Sequence, residues 1–126
     1  MRQFEVKVKN NIGDLANVTE AIAAAGVSLK AIATEERGDH GIIKFITDNE
    51  DLTREALKKA GHDFNEFEII PAKLLDKPGE LAKFSRILAN LGINIQSIFL
   101  LDRNKGTVNI AFKVDNLAKA REILGQ

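Results

Sequence analysis

The stretch Asp76 to Ala82, DKPGELA, has a counterpart at Asn10 to Ala16, NNIGDLA, an offset of about 66 residues. Agreement spreads outward from that pair. Gly13, Leu15, Ala16, Ala23, Gly26, Ile32 and Arg37 fall on Gly79, Leu81, Ala82, Ala89, Gly92, Ile98 and Arg103. One residue later in register, Phe45, Asp48, Asn49, Arg54, Glu55 and Leu57 fall on Phe112, Asp115, Asn116, Arg121, Glu122 and Leu124. The slip lies in the loop around Gly38 and Asn104, where an insertion is tolerated. The chain therefore divides into two copies, expected at residues 1–68 and 69–126.

Within each copy the periodicity changes in a fixed order. Phe4, Val6 and Val8 alternate with charged residues, predicting a strand with one buried face. Leu15, Val18, Ile22 and Ala25, matched by Leu81, Phe84, Leu88 and Leu91, recur at helical spacing and predict an amphipathic helix. Gly26 and Gly92 stop it. Val27 and Leu29, or Ile93 and Ile95, open a second strand whose alternation slips by one before Ile32 or Ile98, which predicts a β-bulge in both copies. A hairpin leads into a third strand through Ile43 and Phe45, or Val108, Ile110 and Phe112. Asp48 and Asn49, or Asp115 and Asn116, are N-cap candidates for helices over 52–60 and 117–124. Residues 64–67 predict a fourth strand and 69–75 the first strand of the second copy, which ends without room for a fourth. The order β-α-β-β-α-β predicts an α+β fold: two ferredoxin-like modules, each an antiparallel sheet with its helices on one face, the second copy lacking its last strand.

Composition narrows the function classes. Among 126 residues, 18 Lys and Arg balance 18 Asp and Glu, so no net field draws the chain to nucleic acid or an anionic bilayer. There is no cysteine, hence no disulfide or thiolate, and there are only two histidines, His40 and His62. Both lie in one copy, and a surface position is expected for each. No apolar segment near Met1 reads as a signal peptide, so a cytoplasmic location is expected. Copies of roughly 60 residues bury only about 60% of their unfolded surface, so packing between copies is expected. Ile42 and Ile46, with Phe99 and Leu101, lie out of step with Ile43, Phe45, Ile98 and Leu100, placing apolar side chains on the sheet face away from the helices. A homodimer or higher homo-oligomer through sheet edges or open sheet faces is therefore expected.

The Lys-Pro-Gly-Glu-Leu-Ala segment, with Leu91, Gly92, Ile93, Asn94 and Ile95 ten residues on, resembles the ACT domain. The layout of the whole chain is similar to stand-alone tandem ACT proteins described as amino acid-binding. The resemblance implies a non-catalytic, regulatory sensor of a free amino acid, bound at an interface between modules near this loop. It also implies no cofactor. The implied ligand-binding residues are Asp76, Lys77, Pro78, Gly79, Glu80, Leu81, Asn94 and Ile95 in the second copy, and Asn10, Asn11, Ile12, Gly13 and Ser28 in the first. The first copy departs from the family's Pro-Gly and Asn-Ile at Ile12 and Ser28-Leu29, so the second copy is the favoured site.

Elementary chemistry supports the same loop. A glycine before a helix lets backbone approach a ligand, and the unpaired N–H groups of a first turn can hold a carboxylate. Asp76 with Asn94, or Asn10 with Ser28, could accept from an ammonium group. A purely structural reading covers the same residues: Asp14 and Glu80 complement the helix dipole, Asn10, Asn11 and Asp76 cap, and Pro78 suits a helix start. The alternative function is a ligand-free module serving only protein–protein assembly. Acyl phosphate hydrolysis, carried by the same fold, needs an arginine that neither loop contains. RNA binding needs exposed aromatics, whereas Phe45 and Phe112 fall on the core alternation and the chain has no Tyr or Trp.

Overall fold

Alternation at Phe4, Val6 and Val8 becomes β1, Arg2–Val8, in a computed structural model that describes residues 1–126. The chain continues through α1 (Asp14–Ala24), β2 (Leu29–Arg37), β3 (His40–Thr47), α2 (Glu50–Lys59) and β4 (Phe64–Glu68). It then repeats the pattern with β5 (Ile70–Leu75), α3 (Glu80–Asn90), β6 (Ile95–Asn104), β7 (Thr107–Val114) and α4 (Leu117–Ile123). Two units separate, one of Arg2–Phe67 and one of Glu68–Gln126 together with Met1. No helix is long and apolar enough to cross a membrane.

The first unit is a four-stranded sheet in the order β2-β3-β1-β4, with β1 and β2 antiparallel to β3. Its core joins Phe4 and Val6 of β1 to Ile43 and Phe45 of β3, with Val18 and Ile22 of α1 and Leu57 of α2. Phe4 and Phe45, opposed in register, stack with centroids 5.8 Å apart. The second unit has three strands, β5-β7-β6, again antiparallel. Ile70, Phe84, Leu88, Ile110 and Phe112 centre its core, with Phe84 edge-on to Phe112 at 5.0 Å. Phe45 and Phe112 are fully buried, so neither presents a face on which a base could stack.

The expected bulge is present in both copies: register shifts between Leu29 and Ala31 and between Ile95 and Ser97. A second shift, between Leu100 and Asp102, occurs in β6 alone. The Asp-Asn pairs divide the capping work that sequence assigned to them jointly. Asn49 Oδ1 accepts from Leu52 N at 3.0 Å and Asn116 Oδ1 from Lys119 N at 3.1 Å, so the asparagines are the N-caps, worth about 1 kcal/mol each. Asp48 Oδ1 instead accepts from Ser28 N at 3.0 Å, and Asp115 Oδ1 from Asn94 N at 2.9 Å. Each aspartate therefore pins the entry of the edge strand rather than the helix.

Two expectations about apolar faces need correction. Ile32, Ile98 and Leu100 do lie on the helix side, since Ile32 opposes Phe45, Ile98 opposes Phe112 and Leu100 opposes Ile110. They are nevertheless 41%, 41% and 49% exposed. In the second unit α3 makes its main strand contacts with β5 and α4 with β7, and the helix side of β6 is incompletely covered. On the opposite face Ile46, Phe99 and Ala111 are already buried within the single chain. Ile42 and Leu101 keep partial exposure.

At the end of the first unit's sheet, Arg54 donates to both carboxylate oxygens of Glu66, at 2.7 and 2.8 Å, and Arg2 Nε lies 2.7 Å from Glu66 Oε1. The Arg54 hydrogen bonds hold the Glu66 carboxyl below its ordinary value of 4.5. A depressed folded-state value contributes stability that is present above pH 4.5 and is lost as pH falls through it. Glu66→Gln is therefore expected to lower stability at pH 7 and to weaken the acid dependence below pH 4.5, read by urea unfolding across pH. In the second unit Leu88→Ala, at a position 1% exposed, is expected to cost about 2–5 kcal/mol in the same assay.

Candidate functional site

In both units the first strand ends, the backbone turns through a glycine, and a helix begins. Gly79 takes φ 88° and ψ −10°, and Gly13 takes φ 93° and ψ −6°. Both are left-handed, and neither helix has a side-chain cap at this end. A Cβ built on Gly79 would meet nothing within 4 Å. The requirement for glycine is thus torsional rather than steric.

Around the second turn lies a cavity of about 410 Å³. Its walls come from every strand of the sheet and from the start of the helix: Leu74 and Leu75 from β5, Leu81 from α3, Ile98 and Leu100 from β6, Val108 and Ile110 from β7. It lies between the half-exposed Ile98 and Leu100 of β6 and the start of α3. The rim is charged, formed by Asp76, Lys77, Glu80 and Arg103. Arg103 Nε lies 3.0 Å from Asp76 Oδ2. Glu80 is nearly covered, its Oε1 3.5 Å from Lys77 Nζ and 3.7 Å from Lys83 Nζ. Its carboxylate already sits in the first turn of α3, where negative charge is favoured by the helix dipole.

Of the residues expected at the site, the structure brings together Asp76, Lys77, Glu80 and Leu81, with Pro78 and Gly79 forming the turn between them. It does not bring Asn94 and Ile95 to them. Ile95 opposes Val114 whereas Leu75 opposes Thr107, seven residues along β7, on the order of 20 Å at strand spacing. The reason is topological. Strands joined by a helix crossover run parallel, so β6 starts at the end of the sheet where β5 starts and reaches the Asp76 end only at Asn104. The same geometry parts Ser28 from Asn10 to Gly13, since Ser28 pairs with Asp48 while Val8 opposes Gly41. An ammonium shared by Asp76 and Asn94 of one unit, or by Asn10 and Ser28, is accordingly excluded.

The first copy's turn is built differently beneath the shared backbone. Asn10 Nδ2 donates to Gly38 O at 3.0 Å, and Asn11 N donates to Asp14 Oδ2 at 2.6 Å. Ile12 is fully exposed. Arg37, the counterpart of Arg103, bonds Glu35 Oε2 through Nε and Nη2 at 3.1 and 2.8 Å. None of Asn10, Asn11 and Asp76 caps a helix. His40, in the β2–β3 hairpin, contacts the exposed Asp39 at 3.0 Å and holds that carboxyl below its usual range. No group of three or more His, Asp or Glu side chains converges in a metal-binding arrangement.

Sequence reasoning missed Arg103 as a site residue. Its match with Arg37 was visible in the repeat, but only the β6–β7 hairpin carries it back to Asp76. Ile98 and Leu100 fall on the core alternation, and nothing in their spacing reports their exposure.

No curated protein matches the chain. A solved structure of a protein from Bacteroides thetaiotaomicron is similar to it at 27% identity and a TM-score of 0.89, covering 98% of this chain and 85% of that one. The regulatory subunits of aspartate kinase from Thermus thermophilus and Thermus flavus share its fold, at 19% and 20% identity and TM-scores of 0.68 and 0.62, each covering 88% of this chain and 81% of theirs. The family described as the ACT domain pair matches residues 1–126, and the chain belongs to it.

Proposed function

We propose that the chain is a non-catalytic regulatory sensor that binds a free amino acid in the cavity of its second unit. The observation that carries this reading is the cavity itself: an apolar chamber with a charged rim, placed at the Asp76–Leu81 turn of an ACT module. An apolar lining with a few charged groups at its mouth is the usual make-up of a small-molecule site, and opposite charges at the rim suit a small zwitterion. Gly79, Pro78 and Lys77 shape the rim, Leu81 the wall. The fold neighbours are themselves regulatory subunits, which supports a regulatory rather than chemical role. The reading places the chain in the cytoplasm, where free amino acids are found.

The chamber is open on the β6 side. Ile87, Leu81, Ile98 and Leu100 are all about half exposed, and β6 is an edge strand with unpaired backbone groups. A module of a second copy laid along this edge would cover them and complete the site as an interface between modules. Ligand would then act by binding one arrangement of copies better than another, since equal affinity for both shifts nothing. The same exposed edge also favours the second reading, a module that assembles and binds nothing.

Thermal unfolding with a panel of amino acids separates the two readings. A ligand at 100 times its Kd is expected to add about 2.7 kcal/mol of stability, and an absence of any shift across the panel would sink the sensor. Gly79→Ala is expected to cost about 1–2 kcal/mol through its left-handed torsion and to blunt the ligand response. Light scattering at micromolar concentration is expected to report more than a monomer, and Leu100→Lys to reduce the mass.

A further inference from the structure

The chamber's lining states which amino acids it can take, and its rim states how they are held. Apart from the four charged rim residues, every wall residue is Leu, Ile or Val. No hydroxyl, amide or imidazole reaches inward. A polar or charged side chain placed there would lose its water without gaining a partner, whereas an apolar one exchanges water for aliphatic contact.

The rim offers one acceptor and one donor set at the right separation. The Asp76–Arg103 contact uses Oδ2 and Nε. Beyond that contact the Asp76 carboxylate can accept from an ammonium and the Arg103 guanidinium can donate to a carboxylate, in the forked geometry arginine favours. Glu80 rules out the helix start as the carboxylate's seat, because a second anion there would face an existing one.

The first unit lacks both halves of this arrangement. Lys9, Thr34 and Gly41 stand where Leu75, Leu100 and Val108 line the chamber. Asn10 is turned to Gly38, and Arg37 to Glu35. Resting on the sensor reading above, we infer that the second unit alone selects an α-amino acid with an apolar side chain, held by Arg103 at its carboxylate and Asp76 at its ammonium, one per chain.

Calorimetric titration of the full chain with L-leucine, L-isoleucine, L-valine, L-phenylalanine, L-serine, L-lysine and L-aspartate tests this. At least one apolar member is expected to bind at one site per chain, roughly 10-fold or more tighter than serine, lysine or aspartate. Asp76→Asn and Arg103→Gln, both at exposed positions, are expected to weaken it roughly 10- to 100-fold with unchanged circular dichroism. Arg37→Gln is expected to leave it as it was. Tightest binding of serine, lysine or aspartate, two sites per chain, or full affinity in both rim variants would overturn this inference while leaving an amino acid sensor standing. Silence from all seven, with thermal shift equally silent across the remaining amino acids, would overturn both.

Discussion

In the second unit, helices of eleven and seven residues lie over a sheet of three strands. α3 has its main strand contacts on β5 and α4 on β7, and β6 is incompletely covered on the helix side. The candidate cavity opens beside that incompletely covered strand. Ile98 and Leu100 face the same way as the buried Phe112 and Ile110 opposite them, yet stand about half exposed. Such a row carries a standing hydrophobic penalty, about 25 cal/mol for each Å² left in water. The cavity is the space between that row and the start of α3.

A left-handed glycine supplies the other half of the construction. It lets β5 reverse into α3 tightly enough for Leu81 to overhang the strand. Because the turn needs only backbone torsion, it survives unchanged in the first unit, where Gly13 has nearly the same φ. What differs between the units is side-chain chemistry laid on one backbone. The candidate site therefore draws on Leu75, Leu100, Val108, Asp76 and Arg103 as well as on the turn.

Much of this architecture was legible in the sequence, because a repeat shows which features the fold demands twice. Helix and strand order, the bulge near Leu29 and Ile95 and the asparagine caps all follow from local periodicity and capping chemistry. The site was legible only along its first strand and turn. Asn94 entered through the motif that carries the family resemblance, although the predicted β-α-β crossover makes the two strands parallel and so sets it at the opposite end of the sheet from Asp76. Arg103 escaped for the complementary reason: its proximity to Asp76 is made by a hairpin far along the chain. Exposure at Ile98 and Leu100 depends on how far a short helix reaches, and no window of sequence reports that.

The pair Val8 and Gly41 stands in register where the second unit has Leu74 and Val108. A Cβ added at Gly41 would approach Val8 Cγ2 to 3.2 Å and Glu35 O to 3.4 Å. The two small residues thus hold each other in place like a ratchet and its pawl. Enlarging Gly41 meets the strand beside it unless Val8 gives way, so the first unit is more than a dormant version of its twin. Its floor differs from its twin's in packing as well as in side-chain chemistry.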